Sequence, residues 1–329
     1  MKILALKYRR LGDTVLWSAP LQALRDHFPQ AQIDLVLPRA YAELFTGDAR
    51  FQNVFGVQDA ADIALLRKVW REARYDLALV FHASHRTRRW ARAARARRTL
   101  IHHHDRRGRR FGSDTAIVDA GRPMHAIDRD LNVVRTLGWK GTAPSPRVRR
   151  PPPDAPGWTS TRPKILLGPS ASRPSKRWPL ENYARLTRLL EDRAEVRWIA
   201  NSAEEFRLFW RPSEAQGPWI FTPTLQDASR WLASADLFVG SDSGIKHLAI
   251  ALGVRTLTLF GPESLAEWHP YDLDAHPVLQ QAVGCRDRDA HDPRFAWCDA
   301  FTCPLASHAC LRLTTPETVA HAIGRVFQI

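Results

Sequence analysis

A stretch long enough to cross a bilayer is the first thing this chain of 329 residues lacks. No apolar run approaches the roughly 20 residues that a spanning helix needs. The opening "MKILALKYRR" has only a short apolar part before it runs into charge, unlike a secretory leader. Both absences lead to the expectation of a cytoplasmic protein. Cysteine is scarce, with four residues in all, and in a reducing compartment these are expected as thiols or metal ligands rather than disulfides. Neither a Walker loop nor a GxGxxG fingerprint occurs, so kinase, NTPase and dinucleotide readings lack their signatures. Repeats of solenoid period are absent as well. The composition, 44% hydrophobic and 25% charged, excludes a disordered chain and fits a globular one of two ordinary domains.

Charge is present in excess and unevenly spread. Residues 1–150 hold 29 Lys and Arg against 14 Asp and Glu, a net of +15, while the remainder holds 19 against 20, a net of −1. The first half is therefore expected to face something anionic: nucleic acid, a phosphorylated glycolipid or an acidic membrane surface.

Strand-like runs alternate with helix-like ones throughout. "KILALKY" precedes a helical pattern from Thr14 to His27; "YDLALVFH" precedes "RTRRWARAARA". The proline-rich "RRPPPDAPGWTSTRP" (149–163) interrupts the series and reads as a linker. The alternation then restarts with "KILLGPS", "EVRWIAN", "DLFVGS" and "TLTLFGP", each but the last followed by a helical pattern. Continuous apolar strands between helices imply parallel sheets covered on both faces. The expected architecture is α/β, with two Rossmann-like doubly wound domains, 1–150 and 164–329, facing each other across a cleft and joined by a linker at 151–163. In such sheets ligands sit at the carboxyl ends of the strands.

Three stretches there could carry chemistry. In "KYRRLGDTVLW", Asp13 follows a glycine between strand and helix, where it is either a helix cap or a catalytic base. In "GPSASRPSKRWPLENYARL", the small residues Ser170, Ala171 and Ser172 allow close approach of a ligand, and Lys176 and Arg177 precede the helix at Leu180. Two cations near a helix N-terminus are unfavourable unless an anion joins them; a solvated basic loop is the alternative. In "DLFVGSDSGIKHLAIALG", Asp242, Ser243 and Gly244 form a turn before a helix starting near Ile245. Its free N–H groups make an anion site, Gly244 removes the Cβ that would obstruct a phosphate, and His247 falls in the first helical turn. N-capping by Asp242 or Ser243, with a core-facing His247, accounts for the same residues without a ligand.

Together "LGDTVLWSAPLQALRDHFPQAQIDLVL", "PSKRWPLENYARL" and "SDSGIKHLAIALGVRTLTLFGP" resemble the ADP-heptose:lipopolysaccharide heptosyltransferases, glycosyltransferase family 9, over nearly the whole chain. The resemblance implies a GT-B fold, acceptor on the N-terminal domain, nucleotide-sugar on the C-terminal one, inversion at the anomeric carbon, and no metal for the chemistry. It places Asp13 at the family's catalytic base and Lys176 at its phosphate-binding lysine. Asp242, Ser243, Gly244 and His247 match the donor motif. Ser172 aligns with a hydroxyl near the phosphates, Leu225 with a side chain lining the adenine pocket, and Glu204 or Glu205 with the ribose partner. Lys246 is an additional charge within the donor motif.

The resemblance makes lipopolysaccharide inner core the default acceptor, which "RTRRWARAARARRTLIHHHDRRGRR" could hold, either directly or through the inner membrane that bears it. A solvated arginine-rich helix explains that stretch equally. Alternative acceptors are an autotransporter protein or another glycan. A basic nucleic-acid-binding protein is a more distant alternative, leaving Lys176 and the Asp-Ser-Gly turn without a role. Trp17 and Trp90 are candidates for stacking on sugars. "HHH" (102–104) is weak as a metal cluster because neighbouring strand residues point to opposite faces. Cys285, Cys298, Cys303 and Cys310 all fall within 285–310, so a four-thiolate zinc or iron site is expected there as a structural metal, against free thiols or a disulfide. Relatives that glycosylate autotransporters are similar in having a cysteine-ligated iron in this region. The C-terminal helix is a candidate for packing back on the N-terminal domain.

Overall fold

Leucine- and valine-rich runs with no polar alternation form strands that are buried on both faces. The computed structural model describes residues 1–103, 114–118, 124–152, 157–200, 219–286 and 293–327. The chain divides into two units, Met1–Arg149 and Arg150–Ile329.

In the first unit, β1 (Lys2–Leu6) is followed by α1 (Leu11–Leu16), α2 (Ser18–His27), β2 (Gln32–Pro38), a 3₁₀ turn at Arg39–Leu44 and β3 (Asn53–Val57). Then come α3 (Ala60–Ala73), β4 (Leu77–Val80), α4 (His85–Ala94), β5 (Arg98–His103), β6 (Asp114–Val118) and α5 (Ala126–Arg135). All strand pairs are parallel, in the order β3-β2-β1-β4-β5-β6. The chain reverses its winding between β1 and β4, so a crevice opens beyond their carboxyl ends. Capping boxes at Asp59 and Ser84 start α3 and α4 by satisfying N–H groups that the helix leaves unpaired.

The second unit repeats the plan. Its elements are β7 (Lys164–Gly168), a 3₁₀ turn at Pro174–Lys176, α6 (Leu180–Leu190), β8 (Glu195–Ala200), β9 (Trp219–Phe221) and α7 (Leu225–Ala233). They continue with β10 (Leu237–Ser241), α8 (Gly244–Ala251), β11 (Arg255–Phe260), α9 (Leu265–Trp268), β12 (Val278–Gln280), α10 (Ala309–Arg312) and α11 (Pro316–Phe327). The strand order β12-β11-β10-β7-β8-β9 is the first sheet's order read from the other end, with the switch between β7 and β10. Gly168 and Gly240 pair across that switch. A Cβ on Gly240 would lie 2.7 Å from the Gly168 carbonyl oxygen, and one on Gly168 would lie 2.4 Å from the Phe238 ring. Both positions therefore exclude a side chain.

Within the expected linker, residues 158–160 are tied to the second unit. Thr159 and Ser160 donate backbone N–H groups to Glu195 at 2.9 and 2.7 Å, and the Trp158 indole donates to Ser234 at 2.8 Å. The C-terminal helix α11 packs on α6 of its own unit, burying Val319, Ile323 and Phe327 in the core around Leu186 and Leu190. Among the described residues no helix is long and apolar enough to cross a membrane.

Candidate active site

At the switch of the first sheet, β1 ends and Lys7 turns inward. The Lys7 ammonium, 3% exposed, donates to the Asp13 carbonyl at 2.9 Å and pairs with Asp130 of α5. A buried lysine needs such a partner, because an unpaired ammonium would cost several kcal/mol to desolvate. The pair fixes the first turn of α1, where Asp13 sits. Helix α1 starts at Leu11, earlier than the sequence pattern predicts, so Asp13 is the third residue of the helix. The cap position belongs to Arg10, with no side-chain capping bond. The Asp13 carboxylate is 8% exposed, with the Arg9 guanidinium 3.4 Å away. His82, just beyond β4, is pushed down to about 3 by burial and by the charges of Arg9 and Lys7, so it stays neutral. Lys7, Asp130 and His82 were not singled out from the sequence. A lysine at the end of an apolar strand was the visible sign of the first.

Trp17 and Trp90 are not available to sugars. Trp17 is fully buried against Phe45 and Phe81, and Trp90 is packed edge-on to Tyr8. Both belong to the core because they lie on the inner faces of α4 and of the α1–α2 junction. His102 and His103 are buried at the end of β5, and His104 lies outside the described residues.

The switch of the second sheet gathers more charge. After β7, Ser172 lies exposed in the loop and Lys176 closes the 3₁₀ turn. After β10, Asp242 is 4% exposed and Ser243 takes the cap position of α8. Ser243 makes no side-chain capping bond, so the N–H groups at the head of α8 receive no side-chain cap. The Lys176 ammonium reaches Asp242 Oδ2 at 2.8 Å and Glu263 Oε1 at 3.5 Å. Glu263 in turn holds Arg173 at 2.6 Å. Lys246, fully buried, donates to Asp242 Oδ1 at 2.6 Å and to the Trp268 carbonyl at 3.0 Å. Burial opposes the charge on Asp242, but the two lysines and their hydrogen bonds outweigh it and hold the carboxylate far below its usual range. For Lys176 burial is likewise outweighed, by Asp242 and Glu263, and its pKa is raised. The carboxylate of Glu263 was missed from the sequence, although "LFGPES" places it just past a strand's carboxyl end.

His247 is 3% exposed, and Nδ1 lies 2.6 Å from the Tyr271 hydroxyl. Burial, then Lys246, drives its pKa well below the usual imidazole value, so it is a neutral ring and not a cation. Leu225 is half-buried as the first residue of α7, which Thr224 caps. Glu204 and Glu205 lie outside the described residues.

The expected metal site falls on the cysteine-rich segment, of which residues 287–292 lie outside the described residues. Among the described residues no three His, Cys, Asp or Glu side chains converge closely enough to hold a metal ion. Cys285 is exposed, Cys298 and Cys303 are half-buried, Cys310 is buried, and all are free thiols. Burial, then the neighbouring Cys303, pushes the Cys310 thiol up to about 11, and Cys285 and Cys298 act in the same direction, so the other three thiols all lie within electrostatic reach of Cys310. The segment braces the Lys176 loop. Ser175 donates from Oγ to the Ala300 carbonyl at 2.6 Å and from N–H to the Phe301 carbonyl at 3.1 Å, and the His308 ring meets the Ser175 carbonyl at 2.9 Å.

Two doubly wound parallel-sheet domains, each with polar residues at its switch point, define the class of GT-B glycosyltransferases. The fold is similar over 99% of this chain and 97% of the other to a glycosyl transferase family 9 protein from Veillonella parvula, with a TM-score of 0.78 at 18% identity. The chain is 26% identical over 295 residues to lipopolysaccharide heptosyltransferase 2 of Escherichia coli K12, covering 80% of this chain and 84% of that one. With lipooligosaccharide heptosyltransferase 2 of Campylobacter jejuni it is 28% identical over 96 residues, 29% of this chain, and spans only 27% of that relative's length. The model for glycosyltransferase family 9 (heptosyltransferase) matches residues 65–294, and the chain belongs to that family. It is an enzyme of the glycosyltransferase class.

Proposed function

We propose that the protein is an inverting heptosyltransferase, acting in the cytoplasm, that moves a heptose from ADP-heptose to the inner core of lipopolysaccharide. The observation that carries this reading is the Lys176 ammonium held on Asp242, next in sequence to Ser243, the cap residue of α8 that makes no side-chain capping bond, at the switch point of the second sheet. That combination suits a diphosphate gaining negative charge, because preorganised donors and cations act most strongly where water is excluded. Ser172 adds a hydroxyl to the phosphates, neutral His247 a ring held in place by Tyr271, and Leu225 an apolar contact for the base.

In this reading an acceptor hydroxyl forms a new bond to the anomeric carbon from the face opposite the phosphate. The bond from that carbon to the β-phosphate oxygen breaks, and ADP departs with the electron pair. The hydroxyl proton passes to the Asp13 carboxylate, a role typically worth about 10²–10⁴ in rate. The Lys7–Asp130 pair sets the turn that presents Asp13. The relatives' names support heptose as the sugar and lipopolysaccharide as the acceptor. The basic first domain suits an anionic acceptor, with Arg86, Arg89 and Arg92 exposed along α4 and Arg95 just after it.

The test is turnover with a panel of ADP- and UDP-sugars on truncated core oligosaccharides, read as nucleotide release and as anomeric configuration of the product. The expected result is transfer from ADP-heptose with inverted configuration. Retention of configuration, or salt-dependent duplex DNA binding with no turnover of any ADP-sugar, overturns the reading.

A further inference from the structure

Helix α8 reads "GIKHLAIA", and its flanking residues Ile245, Leu248, Ala249 and Ile250 are all buried. Lys246 lies among them with none of its side chain exposed. The position is doubly unfavourable for an ammonium: burial strips its water, and the first turn of a helix repels positive charge. Burial lowers its pKa, and the surroundings oppose that loss of charge, Asp242 foremost. Asp242 Oδ1 lies 2.6 Å away, the Trp268 carbonyl 3.0 Å, and the Phe260 ring centroid 5.2 Å.

Lys246 ends a continuous chain of charges. Arg173 meets Glu263, Glu263 meets Lys176, Lys176 meets Asp242 Oδ2, and Asp242 Oδ1 meets Lys246. Three cations and two carboxylates leave this chain with a net charge of +1. An apolar residue at position 246 would bring it to zero. Asp242 would then depend on Lys176 alone, and an arriving diphosphate would compete with two carboxylates for one ammonium.

We infer that Lys246 is a positioning residue that neutralises Asp242 from behind, leaving the charge of Lys176 free for the diphosphate of the donor. The inference rests on the reading that Lys176 binds that diphosphate, and it adds the reason why the donor motif of this chain carries a second lysine. Lys246 itself does not touch the ligand; it acts through Asp242.

The experiment is calorimetric titration of ADP into the full chain and three variants, with folding followed by circular dichroism. Lys246→Met should weaken ADP binding by roughly 30-fold, since a buried pair loses one partner. Adding Asp242→Asn to it should return the affinity to within about threefold of wild type, because the amide no longer claims Lys176. A packing role for Lys246 would give a loss that Asp242→Asn does not repair, and that result overturns the inference, as does wild-type affinity in Lys246→Met. If Lys246→Met alone fails to fold, the double variant decides: near-wild-type affinity supports the inference and a large loss overturns it. Lys176→Met separates the two levels. Unchanged ADP affinity in that variant refutes the diphosphate reading and takes the inference down with it. A loss there, with Lys246→Met binding as wild type, refutes the inference alone.

Discussion

Single side chains were legible in proportion to how local their surroundings are. Asp13 and Lys176 stand out because a strand end and a helix start flank each of them. Asp130 could not be read, because it meets Lys7 across 123 residues of chain and only the closed sheet brings the two together. Neutral histidines give a prediction at this scale. Burial drives His82 and His269 down to about 3 and His247 lower than its usual value, so each folded imidazole stays unprotonated where the unfolded one, near 6.5, binds a proton. Stability from these groups is complete above the unfolded value and is lost as pH falls below it, by up to about 1.4 kcal/mol per pH unit for each. The melting temperature should therefore drop steadily from pH 7 to pH 5. His269→Gln, which removes a titrating group whose Nε2 meets the His276 carbonyl at 2.8 Å, should flatten that slope; an equally steep slope would count against the assignment.

Elements were legible where strands are long and fully apolar. The short edge strands β6 and β12 escaped, since an edge strand of three to five residues has little apolar run to announce it. The start of α1 was misplaced because glycine at position 12 reads as a turn, whereas here it lies inside the helix. The bracing of the Lys176 loop by the cysteine-rich segment was not legible, because it is done largely by backbone carbonyls at 300 and 301, which no side-chain pattern reveals. Ser175→Ala removes the 2.6 Å bond to Ala300 and should loosen the Lys176 loop. We expect a loss of roughly 1 kcal/mol in stability, the net worth of such a bond, with a larger proportional loss in ADP affinity than in acceptor affinity. At the switch of the second sheet, Gly240→Ala puts a methyl 2.7 Å from a backbone oxygen that cannot yield. Denaturant unfolding should show a cost on the order of 1–3 kcal/mol, typical of overpacking; an unchanged midpoint would mean that β7 and β10 are not held together as described.

Across the whole molecule, two sheets of the same strand order differ in the charge their units carry. One unit holds the excess positive charge and Asp13; the other is near neutral, with Arg173, Lys176 and Lys246 gathered at its switch point. The doubling was visible in the repeated strand–helix alternation, but the strand order was not, because neighbours in a parallel sheet are set by crossovers rather than by local pattern. The account stands or falls on the division of labour between Asp13 and the diphosphate cradle. The direct measurement is heptose transfer by wild type and Asp13→Asn, with ADP affinity measured on the same preparations. The account predicts a rate lower by about 10²–10⁴ in the variant and an unchanged ADP dissociation constant. A variant that transfers heptose as fast as wild type would contradict it.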